Sequence, residues 1–157
     1  LIHSLASMEE TTIRPLESTD LADAAALLTF LNPETPAATI ATRLETLLAD
    51  YSHYELVGAF NGGTLVGLAG AWVATKIWCG RYLEIDNLVV APARRAAGIG
   101  SLLIRHLEAL ARERDCNIIV LDSYNANHPS HRLYHRLGFE IWGFHFAKPV
   151  GDWKAAP

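Results

Sequence analysis

The chain has 157 residues, of which half are hydrophobic and 19% charged, and a formal net charge of -4. That length supports one domain with a full hydrophobic core, and the composition excludes a disordered chain. The acidic balance lacks the basic face that a nucleic-acid partner needs, and no apolar run approaches the ~20 residues of a membrane span.

Cys79 and Cys116 have neither metal-ligand nor redox spacing and read as free thiols of a reducing, cytoplasmic compartment. Residues 1–7 precede the only methionine, Met8, and lack the basic start and apolar core of a signal peptide. They read as an expression scar, with 8–157 as a single domain.

Residues 11–16 suit a short first strand. Ser18, Thr19 and Asp20 offer N-cap oxygens to a helix that carries Leu21, Ala24, Ala25, Leu28 and Leu31 on one face. A second helix starts at Thr35-Pro36, with Ile40, Leu44, Leu47, Leu48 and Tyr51 as its apolar stripe. The periodicity then changes to that of strands at 53–60 and 64–74, joined by Asn61-Gly62-Gly63 in a tight hairpin. Residues 76–81 form a loop, and a strand over 82–91 ends at Pro92.

A helix over about 98–114 turns Ile99, Leu102, Leu103, Leu107, Leu110 and Ala111 inward. Residues 117–123 make a continuous apolar strand of the kind found in parallel sheets, which completes a βαβ unit. A short helix with Leu133, Tyr134 and Leu137 stops at Gly138, and 139–148 return as a last strand. The fold class is mixed α/β, in the order β-α-α-β-β-β-α-β-α-β.

Two segments carry chemistry. Arg94-Arg95-Ala96-Ala97-Gly98-Ile99-Gly100-Ser101 joins a strand to a helix N-terminus, where backbone N–H groups and the helix dipole favour an anion. The spacing is neither the dinucleotide fingerprint nor a nucleotide-hydrolysing P-loop. Alone it fits equally a glycine-containing turn with solvated arginines. Downstream, Asn127 precedes a helix on which Ser130 and Tyr134 share a face. A tyrosine there can protonate a leaving group, or simply pack in the core.

The R-x-x-G-x-G turn, the N-x-x-S-x-x-L-Y-x-x-x-G-F segment and the element order together resemble the GCN5-related N-acetyltransferase (GNAT) superfamily over residues 12–148. The resemblance implies splayed parallel fourth and fifth strands with acetyl-CoA as cosubstrate. Leu88, Val89 and Val90 would pair with the pantetheine arm. The amides from Arg95 to Ser101, with Arg94 nearby, would cradle the pyrophosphate. Asn127 and Ser130 would lie on the cofactor side, and Tyr134 would protonate the departing thiolate. Ala96-Ala97 departs from the family's frequent glycine followed by a basic residue, which removes one phosphate-facing charge.

The implied function is acetyl transfer to a primary amine, of a small molecule or a peptide, by direct attack in a ternary complex. A non-catalytic acyl-CoA-binding module is the alternative. Glu84, and next Asp86, occupy the positions of the family's acidic base, while Asn87 alternates to the opposite face of the strand. The carboxylates favour a cationic acceptor, against which Trp72, Trp78, Tyr82 or Trp142 could pack. A homodimer is implied by family habit only. His128, His131 and His135 lack the ligand set of a metal site, so no metal is expected.

Overall fold

A computed structural model describes residues 10–95 and 97–153. They divide between Leu121 and Asp122 into two units. The expected expression scar, residues 1–7, and Met8 lie outside the described residues.

The first unit contains β1 (Thr11–Pro15), α1 (Leu21–Leu28), α2 (Ala37–Asp50), β2 (Tyr54–Asn61), β3 (Thr64–Lys76), β4 (Gly80–Val90), α3 (Ile99–Glu113) and β5 (Ile118–Leu121). The strands form one sheet in sequence order, antiparallel except for the parallel β4–β5 pair. Gly62 and Gly63, at φ 55 and 81, make the β2–β3 turn, while Asn61 stays in its strand opposite Thr64. Residues Ser18–Asp20, expected as caps, form a 3-10 turn ahead of α1. There the Asp20 carboxylate accepts the Glu17 N–H and two hydrogen bonds from the Arg14 guanidinium.

The sheet is covered on both faces. On one, Ala24, Leu27 and Leu28 of α1 and Ile40 and Leu44 of α2 pack with Tyr54, Leu56, Leu68 and Val89. On the other, Ile99 and Leu103 of α3 come down on Gly67. Leu68, Leu83, Leu103, Ile104 and Leu107 are fully buried, each contributing about 1.5–3 kcal/mol.

Four inward assignments change. Leu102 is 40% exposed and Ile104 is buried in its place, because the buried stripe of α3 runs through 99, 103, 107 and 110 and widens toward 104 and 111. Leu31 is exposed, since α1 ends at Leu28 and the chain turns away. Leu48 and Tyr51 are also partly exposed, leaving Ile40 and Leu44 to anchor α2.

One feature of β4 escapes simple alternation. Gly70 pairs with Asp86 and Leu68 with Val89, so Ala69 alone spans Asn87 and Leu88. This is a bulge, and Asn87 adopts φ 54 to make it. Residues directly opposite share a face. Asp86 and Val89, three apart, therefore both look toward α1 and α2. Asn87 joins them there, lining a cleft with residues of both helices. Its expected place on the opposite face is corrected, because the bulge breaks the two-residue alternation on which that expectation rested.

In the second unit, α4 (His128–Arg136) is followed by Gly138 at φ 91. The expected last strand over 139–148 is not formed: the described residues contain a five-stranded sheet, and 139–150 carry no ladder. Alternating apolar residues supply a strand with a face, but a strand exists only through hydrogen bonds to a neighbour. Here Ile141, Phe144 and Phe146 are largely exposed.

Candidate active site

Strand β4 carries the candidate residues Glu84, Asp86, Leu88, Val89 and Val90. β5 pairs with it only over Tyr82–Ile85 and ends at Leu121. Among the described residues, 86–90 thus have no ladder partner on the β5 side. Leu88 and Val90 are half-buried and Val89 is buried.

Past β4, Pro92–Arg94 make a 3-10 turn and the chain enters α3 through Gly98 at φ 79. Only glycine takes that angle without strain. The first hydrogen bond of α3 runs from Leu102 N–H to the Gly98 carbonyl, at 3.1 Å. The amides of Ile99, Gly100 and Ser101 consequently have no acceptor within the helix. Arg94, Arg95 and Ala97 are exposed beside them. Ala96, also expected in this cradle, lies outside the described residues.

A Cβ on Gly98 would meet no atom within 4 Å. Gly98→Ala should therefore act through the backbone alone, costing about 1–2 kcal/mol at a left-handed angle. If the turn cradles a pyrophosphate, melting temperature and acetyl-CoA affinity should fall together, measured by thermal melts and calorimetric titration. Unchanged affinity in the variant would remove the turn from cofactor binding.

Both carboxylates face α1 and α2, Glu84 opposite Trp72 and Asp86 opposite Gly70. The Trp72 indole N–H donates to Asp86 Oδ2 at 3.3 Å. Burial pushes the Asp86 carboxyl above its ordinary range, while hydrogen bonds from Trp72 and the Asn87 backbone pull it back. Trp72 is wedged among Tyr51, His53 and Tyr54, with ring centroids 5.4, 5.3 and 4.6 Å away. Of the other aromatic residues considered for an acceptor pocket, Tyr82 is buried with the Lys76 ammonium over its ring, and Trp78 and Trp142 are exposed.

Beside Asp86, a cleft of about 120 Å³ is lined by Leu28, Asn32, Ile40, Arg43, Leu44, Leu47 and Asn87. Its apolar wall and few polar groups have the composition of a small-ligand site. Sequence reasoning missed Arg43, Tyr54 and the role of Asn87. The one available signal was Asn87 itself, since asparagine tolerates positive φ better than most residues.

In the second unit, Asn127 precedes α4, and Ser130 and Tyr134 lie one turn apart within it. Burial raises the Tyr134 phenol above its ordinary value, with a hydrogen bond to the Ser130 side chain acting in the opposite direction. The Tyr134 ring meets Phe139 edge-on at 6.0 Å. His131 and His135 engage the carbonyls of Tyr124 and Phe139. Among the described residues, no group of three His, Cys, Asp or Glu side chains is arranged to hold a metal ion. No helix among them is long and apolar enough to cross a membrane.

The description of the acetyltransferase (GNAT) family matches residues 24–139. Streptothricin acetyltransferase of Streptomyces lavendulae is 39% identical over 95 residues, 60% of this chain and 48% of that protein. Aminoalkylphosphonate N-acetyltransferase of Salmonella typhimurium is 32% identical over 105 residues, 66% of this chain and 67% of that protein. Among solved structures, a ribosomal-protein-alanine N-acetyltransferase from Brucella melitensis is similar, with a TM-score of 0.77 and 25% identity over 90% of this chain and all of that one. The chain spans 48% to 61% of the length of several relatives that it matches. The family match runs from α1 to Phe139, through the bulge, the glycine turn and Tyr134 alike, and this chain belongs to the acetyltransferase (GNAT) family.

Proposed function

We propose that the protein is an acetyl-CoA-dependent N-acetyltransferase acting on a primary amine by direct attack in a ternary complex. The observation that carries this reading is the juxtaposition along β4. A half-buried carboxylate, a bulge, a strand edge without a β5 partner and a glycine-opened helix N-terminus follow one another within residues 86–101. The edge at 88–90 suits the pantetheine arm, and the α3 amides with Arg94 and Arg95 suit the pyrophosphate.

In the reaction, an ammonium first loses a proton, because only the neutral amine has a lone pair. We assign that proton to Asp86 ahead of Glu84. Asp86 adjoins the bulge, is aimed by Trp72, and has its basicity raised by burial. The amine nitrogen then attacks the thioester carbonyl carbon. A backbone N–H near Val89 or Val90 stabilises the oxyanion. The C–S bond breaks and Tyr134 protonates the thiolate, with Asn127 and Ser130 supporting the same end of the cofactor.

For the acceptor we favour a small amine or a peptide N-terminus whose cationic group meets Asp86 and Glu84, the two carboxylates on the α1 and α2 face of β4. The relatives named above act on acceptors of both kinds. The two half-buried free thiols suit a reducing, cytoplasmic setting.

The test is a thiol-release assay with acetyl-CoA against streptothricin, an aminoalkylphosphonate, glucosamine 6-phosphate and an alanine-ended peptide. Release of CoA that depends on one of these amines is expected. Acetyl-CoA at ~100 times its dissociation constant should also stabilise the fold by about 2.7 kcal/mol. Stabilisation without amine-dependent release would instead identify a non-catalytic acyl-CoA-binding module.

A further inference from the structure

Among the described residues, the only buried side-chain polar atom without a hydrogen-bond partner is the hydroxyl oxygen of Tyr54. Tyr54 is 5% exposed, and an unsatisfied buried donor costs about 1–3 kcal/mol. The ring has little freedom to escape that cost. It packs on Trp72 at 4.6 Å and lies over Gly70 so closely that a Cβ there would fall 2.1 Å from the hydroxyl oxygen. Gly70 is the cross-strand partner of Asp86. The hydroxyl is therefore held at the level of Asp86, beside the bulge.

We propose that Tyr54 is a positioning residue of the acceptor site, its hydroxyl donating to a water that also hydrogen-bonds the Asp86 carboxylate and relays the acceptor's proton to it. The inference deepens the reading above and rests on Asp86 being the base. Trp72 occupies one lone pair of Asp86 Oδ2, and a carboxylate retains further acceptor sites for the water. Burial and the Asp86 charge hold the phenol protonated well above its ordinary value; the Asn87 side chain lies near enough to act in the opposite direction, but not in hydrogen-bond geometry with the hydroxyl. Tyr54 thus donates throughout and never competes for the proton.

The balance is simple. The ammonium N–H passes its proton to the water as the water passes one to Asp86. The amine is left neutral, the water unchanged, Asp86 protonated and the Tyr54 proton in place. The titratable or charged groups tied to this face are Glu84 of β4, opposite Trp72, Arg43 of α2 in the cleft, and Tyr51 and His53 against the Trp72 ring, while Asp23 of α1 and Glu45 and Asp50 of α2 are exposed. None of these contacts replaces the missing partner of the Tyr54 hydroxyl.

Two experiments test the proposal. A crystal structure of the protein should contain a water within about 3 Å of both the Tyr54 hydroxyl and the Asp86 carboxylate, a normal hydrogen-bond reach. An empty position, or a hydroxyl bonded directly to Asp86, overturns it. In solution, Tyr54→Phe keeps the ring and removes the orphan donor, so the melting temperature should not fall. With the amine that supports CoA release, kcat at pH 7 should drop about tenfold, the loss fading as pH approaches the amine's own pKa. A rate loss equal at every pH, or accompanied by a lower melting temperature, marks a structural role and overturns the relay. Asp86→Asn separates the two readings. If it removes the acid limb of the pH profile while Tyr54→Phe matches wild type, only the relay fails; if it leaves the limb in place, the base assignment fails and takes the relay with it.

Discussion

Asp86→Asn should lower kcat/KM by about 10²–10⁴ at neutral pH, the span over which a positioned general base contributes. The amide preserves the shape of the side chain and keeps an oxygen for the Trp72 N–H, but it accepts no proton. The same substitution should have the opposite effect on stability. The folded-state pKa of Asp86 is raised, chiefly by burial, so the native state binds this proton more tightly than the unfolded chain does. The stabilising contribution is complete below the ordinary carboxylate value of 3.8 and is lost as pH rises through the raised value. At pH 7 the ionised carboxylate is a net cost that the asparagine variant avoids. Denaturation at pH 7 should find the variant at least as stable as wild type, with the difference closing toward pH 3. A variant that is both active and less stable at pH 7 would show Asp86 to be a structural acid.

The second large effect concerns the leaving group. Tyr134→Phe should reduce kcat about 10²-fold, the low end for a general acid, because a thiolate is already a fair leaving group. Burial holds the Tyr134 phenol protonated beyond its ordinary value, so the acid is present in its donating form across the working pH range. The ring remains to pack on Phe139, and acetyl-CoA should bind with its affinity unchanged in calorimetric titration. An unchanged kcat would remove Tyr134 from the chemistry.

Much of the fold was legible from pattern alone. The two-residue alternation at 54–61 and 64–76, the Gly62-Gly63 turn and the apolar stripe of α3 are local signals, each set by the backbone conformation they demand. The order of the first nine α-helices and β-strands followed from them, as did Gly98 at the entrance to α3. Errors appeared where a position depended on partners distant in sequence. Leu102 fits the helical period nearly as well as Ile104, and only the surface that α3 meets decides between them. The segment at 139–148 has the period of a strand, yet a strand requires a neighbour's hydrogen bonds and none is made there.

The same division runs through the candidate site. The chain itself determined the chemistry on offer: glycines that admit a positive φ, two carboxylates on one strand, and a tyrosine one helical turn from Ser130. Each is a property of residue type and spacing. Which carboxylate takes the Trp72 indole N–H, and what surrounds it, was decided by the tertiary structure. A single extra residue on β4 shifts the phase of the strand. That shift brings Asn87 into the cleft and keeps Val89 on the face of Asp86. Cross-strand packing then sets Trp72 and the unsatisfied Tyr54 hydroxyl beside that carboxylate. Bulge and burial are made by pairing across the sheet, between residues 14 and more positions apart, and no local period in the chain records them.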